Sequence, residues 1–263
     1  MPNAYERLIT RVFELVYVEG ASEAIFKREL LLECAAELGV AVPKNIGDVV
    51  YTFRYRRSLP AAIRTKAPKG LEWVIRPAGD GIYKFVAVGA ANLHPTPNRA
   101  VVKVPDATPG IIAAHALEDE QALLAKLRYN RLVDIFLRIT CYSLQNHLRT
   151  KVPGLGQLEV DELYLGIDRR GAQFVIPVQA KGGRDKHSVV QIEQDIALCQ
   201  HRFPELICRS VGAQFMSDQV IAMMEFELQD GEVVILNEAH YKLVNHHEIT
   251  KEEIASLTAR GPE

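Results

Sequence analysis

Nowhere in the 263 residues does an apolar run approach the roughly 20 needed to cross a bilayer. The opening Met1-Pro2-Asn3-Ala4-Tyr5-Glu6-Arg7 has no basic stretch feeding an apolar one. The expectation is a soluble, cytoplasmic protein with no membrane partner. Only four cysteines occur, Cys34, Cys141, Cys199 and Cys208, and none forms Cys-x-x-Cys. This excludes a zinc ribbon or a disulfide scaffold and leaves open a metal held by carboxylates. Charge of one sign is also missing: 31 Lys and Arg against 33 Asp and Glu give −2. Any surface for a polyanion must therefore be local. There is no internal repeat and no low-complexity tract.

What is present is ample apolar material, 48% of residues with 24% charged, enough for one large domain or two small ones. Residues 4–18 place Leu8, Val12, Leu15 and Val16 on one helical face. A second helix is expected from Ser22 through Glu23, Ile25, Phe26, Leu30, Leu31 and Cys34 to a stop at Gly39. A third runs from about Lys44 to Arg57, with Asn45 as its cap. The period then changes. Leu71, Trp73 and Ile75 alternate, Pro77 to Gly81 turns, and Tyr83, Phe85 and Ala87 alternate back, which reads as a hairpin. Three helices and a hairpin are the order of a winged helix-turn-helix, whose third helix enters the major groove.

Charge favours that surface. From Pro43 to Lys84 there are nine basic residues against three acidic ones, whereas the preceding 42 residues carry four against seven. Lys44, Arg54, Arg56 and Arg57 are the expected DNA contacts. Residues 1–90 are thus read as the DNA-binding domain and the Pro- and Gly-rich residues 91–110 as a linker. Residues 111–263 form a second domain. It opens with a helix from Glu118 to about Ile139, continues with strands over 140–149, 158–167 and 172–181, a helix over 188–200, and further strands. The fold class is α/β, a mixed sheet flanked by helices.

The chemistry concentrates in Leu158-Glu159-Val160-Asp161-Glu162 and in Val178-Gln179-Ala180-Lys181-Gly182-Gly183. Acidic residues stand where a core strand is normally apolar, and Gln179 and Lys181, two apart, share a face. A two-residue turn would pair Asp161 with Val178 and set Glu162 on the Gln179 side. A three-residue loop, Arg169-Arg170-Gly171, with Gly171 left-handed, pairs Asp161 with Gln179, and is preferred.

On these residues the stretch from about 115 to 211 resembles the PD-(D/E)xK nuclease superfamily, which includes restriction and phage-defence endonucleases. The resemblance implies a restriction-endonuclease-like sheet and Mg²⁺, with Mn²⁺ able to substitute. Asp161 would be a metal ligand and Lys181 the lysine beside the attacking water. Gln179 takes a position normally held by Asp or Glu, so negative charge must come from elsewhere. Glu118 and Glu120 are candidates, with Glu120 favoured as the second metal ligand, and Glu159 shares a strand face with Asp161. The implied activity is Mg²⁺-dependent hydrolysis of double-stranded DNA by a homodimer. The alternative is a winged-helix regulator whose nuclease domain does not cut. Gln191, Gln194 and Asp195 on the following helix read either as DNA contacts or as a solvated face, and His240, His246 and His247 as a weak zinc pattern.

Overall fold

The computed structural model describes residues 3–42, 44–115, 120–183 and 185–259. The first unit runs α1 (Ala4–Val16), β1 (Glu23–Lys27), α2 (Arg28–Leu38), α3 (Gly47–Tyr51), a π turn (Thr52–Arg56), α4 (Ala61–Arg64), β2 (Glu72–Gly79) and β3 (Ile82–Val88). Asn3 and Glu6 cap α1 reciprocally, and α2 stops at left-handed Gly39. The helix expected from Ser22 is corrected at its start. Ala24 and Phe26 are buried while Glu23, Ile25 and Lys27 are exposed, a period of two, and this segment pairs antiparallel with β3. The sheet order is β1-β3-β2. Phe13 packs edge-on against Trp73 and Phe85 in its core. The expected third helix is also shorter than 44–57, since its second half is the π turn.

The second unit continues with β4 (Asn92–Leu93), β5 (Val101–Pro105), α5 (Gly110–His115), α6 (Glu120–Tyr129), α7 (Leu132–Leu137), β6 (Thr140–Val152), β7 (Gly156–Ile167), β8 (Gln173–Lys181) and β9 (His187–Ser188). Then come α8 (Val189–Arg202), β10 (Ile207–Cys208), β11 (Ser210–Phe215), β12 (Val220–Gln229), β13 (Glu232–Val244) and α9 (Lys251–Ala259). A mixed sheet runs β5-β13-β12-β11-β8-β7-β6, with β10 beside β8. The single helix expected over 118–139 is two, broken at Arg131 in the left-handed region. No described helix is long and apolar enough to cross a membrane.

Leu123, Leu124 and Leu127 of α6 and Phe136 of α7 bury one face of the sheet against Ile176, Val178 and Ala180. Helix α8 covers the other face, and it is shared. Its Val190, Ile192 and Ile196 join Met224 and Phe226 of the large sheet to Val74 and Val88 of the first unit in one apolar cluster. Residues 91–110 are correspondingly not slack. β4 pairs with β9, β5 pairs in parallel with β13, and Thr96 donates from both its backbone N–H and its hydroxyl to buried Glu238, each at 2.7 Å.

Gly212 is a close approach that the crossover into α8 requires. A Cβ built there would stand 2.6 Å from Phe226 Cε2 and 2.7 Å from His187 Cε1. Gly212→Ala is therefore expected to cost about 1–3 kcal/mol through overpacking, read as a lower midpoint in urea denaturation.

Candidate active site in the cleft between the two units

The turn between β7 and β8 sets the site. Gly171 has φ +84°, Asp168 N–H donates to the Ala172 carbonyl at 3.1 Å, and the Asp168 carboxylate accepts from Arg170 and Ala172 N–H at 2.8 and 2.9 Å. This is the three-residue loop. The ladder then pairs Ile167 with Gln173 and ends at Glu162 with Val178. Continuing that register sets Asp161 against Gln179. Beyond Glu162 the Asp161 carboxylate itself enters, its Oδ2 accepting from Ala180 N–H at 2.9 Å. Glu162 points to the other face, where its buried carboxylate accepts from Arg128 Nε at 3.0 Å and Ser143 Oγ at 2.5 Å. Arg128 therefore holds an internal acid.

Lys181, at the end of β8, brings its Nζ to 3.5 Å from Oε1 of Glu120, the first residue of α6. Glu118 lies outside the described residues. Gln179 is buried and engaged at both ends of its amide. Its Nε2 donates to Asp195 Oδ2 at 2.7 Å, and its Oε1 accepts from Gln191 Nε2 at 2.7 Å. The carboxylate that β8 lacks is thus supplied beside it by α8. Neither Gln194 nor Asp195 is solvated, at 4% and 1% exposure, so the solvated-face reading of that helix does not hold for them.

These groups sense one another. Burial pushes the Asp161 carboxyl up, with Lys181 and the Ala180 N–H opposing. Burial likewise raises Glu120, opposed by Lys181 and reinforced by Asp161 and Asp185. Asp195 is held well above the ordinary carboxylate range, first by burial, with the Gln179 hydrogen bond pulling the other way and Asp161 adding to the rise. His187 is pushed down to about 3 by burial, then by Lys181 and His94, and is neutral.

The other candidates scatter. Glu159 is paired with Arg149 at 3.1 Å on the rim. His240 is buried against Glu238 at 2.8 Å, and His246 and His247 lie exposed in a turn. Among the described residues no three His, Cys, Asp or Glu stand close enough to hold a metal by themselves. Lys44 is exposed and lies outside the cleft, whereas Arg54, Arg56 and Arg57 line it.

That cleft, about 1460 Å³, has the π turn of the first unit as one wall and Glu120, Asp161, Lys181 and Asp195 on the other. The walls are tied by a hydrogen bond from Tyr55 OH to Gln194 Oε1 and by Arg76 Nε to Glu193 Oε2 at 2.9 Å. Sequence reasoning missed this closure and the part played by Asp195. The available signal was three polar residues, 191, 194 and 195, at helical spacing between apolar ones.

No protein-family model, no curated protein and no solved structure matches this chain.

Proposed function

We propose that the chain is a Mg²⁺-dependent DNA endonuclease of the restriction or phage-defence kind, built from a winged-helix unit and a PD-(D/E)xK-like unit. One observation carries the reading: Lys181, Glu120 and Asp161 sense one another across one cleft whose facing wall is basic. The order of the first unit, α1, β1, α2, α3 with its π turn, the short α4 and then the β2–β3 hairpin, with β1 added to the hairpin, supports the winged-helix assignment.

The donor set fits Mg²⁺. Asp161 and Glu120 are hard oxygen donors whose mutual repulsion a dication relieves, and two protein carboxylates suffice for an ion that keeps several waters and takes substrate phosphate as ligand. When bound, Mg²⁺ lowers the pKa of water and offsets charge gathering on the phosphate. The chain's own groups do the rest. The Lys181 ammonium stands beside the reacting phosphate to hold a proton or steady the departing oxygen, and Glu120 keeps it in place. Asp195 and Gln191 fix the Gln179 amide so that neither of its ends swings into the phosphate path. The guanidinium groups of Arg54, Arg56 and Arg57 draw in the DNA backbone.

The test is supercoiled plasmid incubated with Mg²⁺, Mn²⁺ or EDTA. Nicked circles are expected with either cation and none in EDTA. A second reading, the non-cleaving DNA-binding regulator, is favoured by Gln179, a neutral amide where the resemblance places an acid, its two ends already engaged by Asp195 and Gln191. Plasmid that is bound in EDTA yet left intact with both cations would select it.

A further inference from the structure

The expectation of a major-groove reader meets an obstacle in how the first unit is seated. Its third helix is only Gly47–Tyr51, and the π turn that follows is fastened to α8. Tyr55 OH bonds Gln194, and the Arg54 carbonyl accepts from Ser188 Oγ at 3.4 Å. The Arg76–Glu193 ion pair and the apolar cluster around Val74 and Val190 extend the same seam. The first unit is thus held against α8 along one side of the cleft.

What the wall offers is aromatic and cationic. The Arg54 guanidinium lies 4.9 Å from the Tyr55 ring centroid, Tyr55 meets Tyr51 edge-on at 4.8 Å with the planes inclined by 61°, and the Arg56 guanidinium sits 5.0 Å from the centroid of Tyr51, which is itself exposed. Guanidinium and phenol groups gathered in this way suit unpaired bases, because every base has a π face. Arg54 also has two shielded donors, Nε and Nη2, with no acceptor among the described residues. Shielded guanidinium donors call for a partner, and a phosphate diester oxygen is the acceptor that matches them. Glu120, Asp161 and Lys181 line the same cleft as Arg54. At about 1460 Å³ the cleft also exceeds the ~300–1,000 Å³ of small-molecule pockets.

We propose that the cleft takes a single DNA strand, presented as a flap or a frayed end, with a backbone phosphate seated on Arg54. The proposal rests on the nuclease reading for its chemistry but not for its binding, and the two are separated by measuring binding in EDTA. The measurement is fluorescence anisotropy of a labelled 20-nucleotide strand and of the same strand in a blunt duplex. The free strand is expected to bind at least about tenfold more tightly. Arg54→Gln is expected to weaken strand binding about tenfold, with the thermal unfolding midpoint confirming a folded variant. Arg54→Lys, which keeps charge but not the fork, is expected to recover only part of the loss. Equal or tighter binding of the blunt duplex overturns the proposal, as does strand binding unchanged in folded Arg54→Gln. Strand preference without cleavage in Mg²⁺ or Mn²⁺ overturns the nuclease reading and leaves the strand site standing. Cleavage with a preference for blunt duplex does the reverse.

Discussion

Asp161→Asn is expected to reduce DNA cleavage at least about 10³-fold while leaving the fold intact, and Lys181→Ala to reduce it about 10²–10⁴-fold. The asparagine is chosen because Asp161 Oδ2 accepts from Ala180 N–H at 2.9 Å, and an amide oxygen can still take that bond. Alanine would orphan the N–H at a cost of about 1–3 kcal/mol and blur catalysis with stability. What the substituted amide cannot supply is the negative charge that, with Glu120, would hold the cation. Lys181 has a different fault line. Its side chain is only 14% exposed and its ammonium lies 3.5 Å from Glu120, so removing it leaves Glu120 and Asp161 to repel each other unscreened. Lys181→Ala should therefore shift the pH profile of any residual cleavage as well as lower it. The measurement is the initial rate of plasmid nicking in Mg²⁺ at matched protein concentration. Wild-type rates in either folded variant would remove Asp161 or Lys181 from the chemistry.

The part of the site written on a single hairpin was legible in the sequence. Gly171 as third loop residue fixed the partner of Asp168, and strict alternation carried that register to Asp161, Gln179 and Lys181. Glu120 was reachable only through the resemblance, which implies a glutamate from the preceding helix, and it stands as the first residue of α6. The strand at Glu23–Lys27 was not legible, since five residues with three consecutive apolar ones extend a helical pattern as easily as they form a strand. Pairing with β3, about sixty positions on, decided it.

Contacts between distant segments were invisible for the same reason. Tyr55 and Gln194 are 139 positions apart, and nothing local in either segment announces the other. The Pro and Gly content of residues 91–110 reads as a linker but says nothing of where that segment is anchored or of the strands β4 and β5 within it. Glu238, on the far side of the sequence, holds Thr96. The burial of Asp195 was not legible because a polar helix position is solvated by default, whereas this one faces β8, where its carboxyl accepts from Gln179 Nε2 and is left 1% exposed.

Exchanging the acid and the amide between β8 and α8 is the sharpest probe of this arrangement. Gln179→Glu alone would set a second buried carboxylate at the 2.7 Å contact with Asp195 Oδ2. Two such groups cannot both ionise, so one must keep its proton, and the variant is expected to lose about 3–5 kcal/mol of stability near pH 8. The sign with pH follows from linkage. A carboxyl whose folded pKa is raised contributes fully below its unfolded value near 4, and that contribution disappears as pH climbs through the folded value. The loss in Gln179→Glu should therefore shrink towards pH 5 and widen towards pH 8. Asp195 in the parent protein already carries such a rise. Asp195→Asn should accordingly gain on the parent as pH increases, provided the new amide turns its oxygen to the Gln179 Nε2. The double variant Gln179→Glu with Asp195→Asn restores one carboxylate and one amide at the same contact, and should recover most of the single variant's loss. Urea unfolding of the four proteins at pH 5 and pH 8 gives the coupling directly. Additive losses in the double variant would mean that Gln179 and Asp195 do not act as a pair.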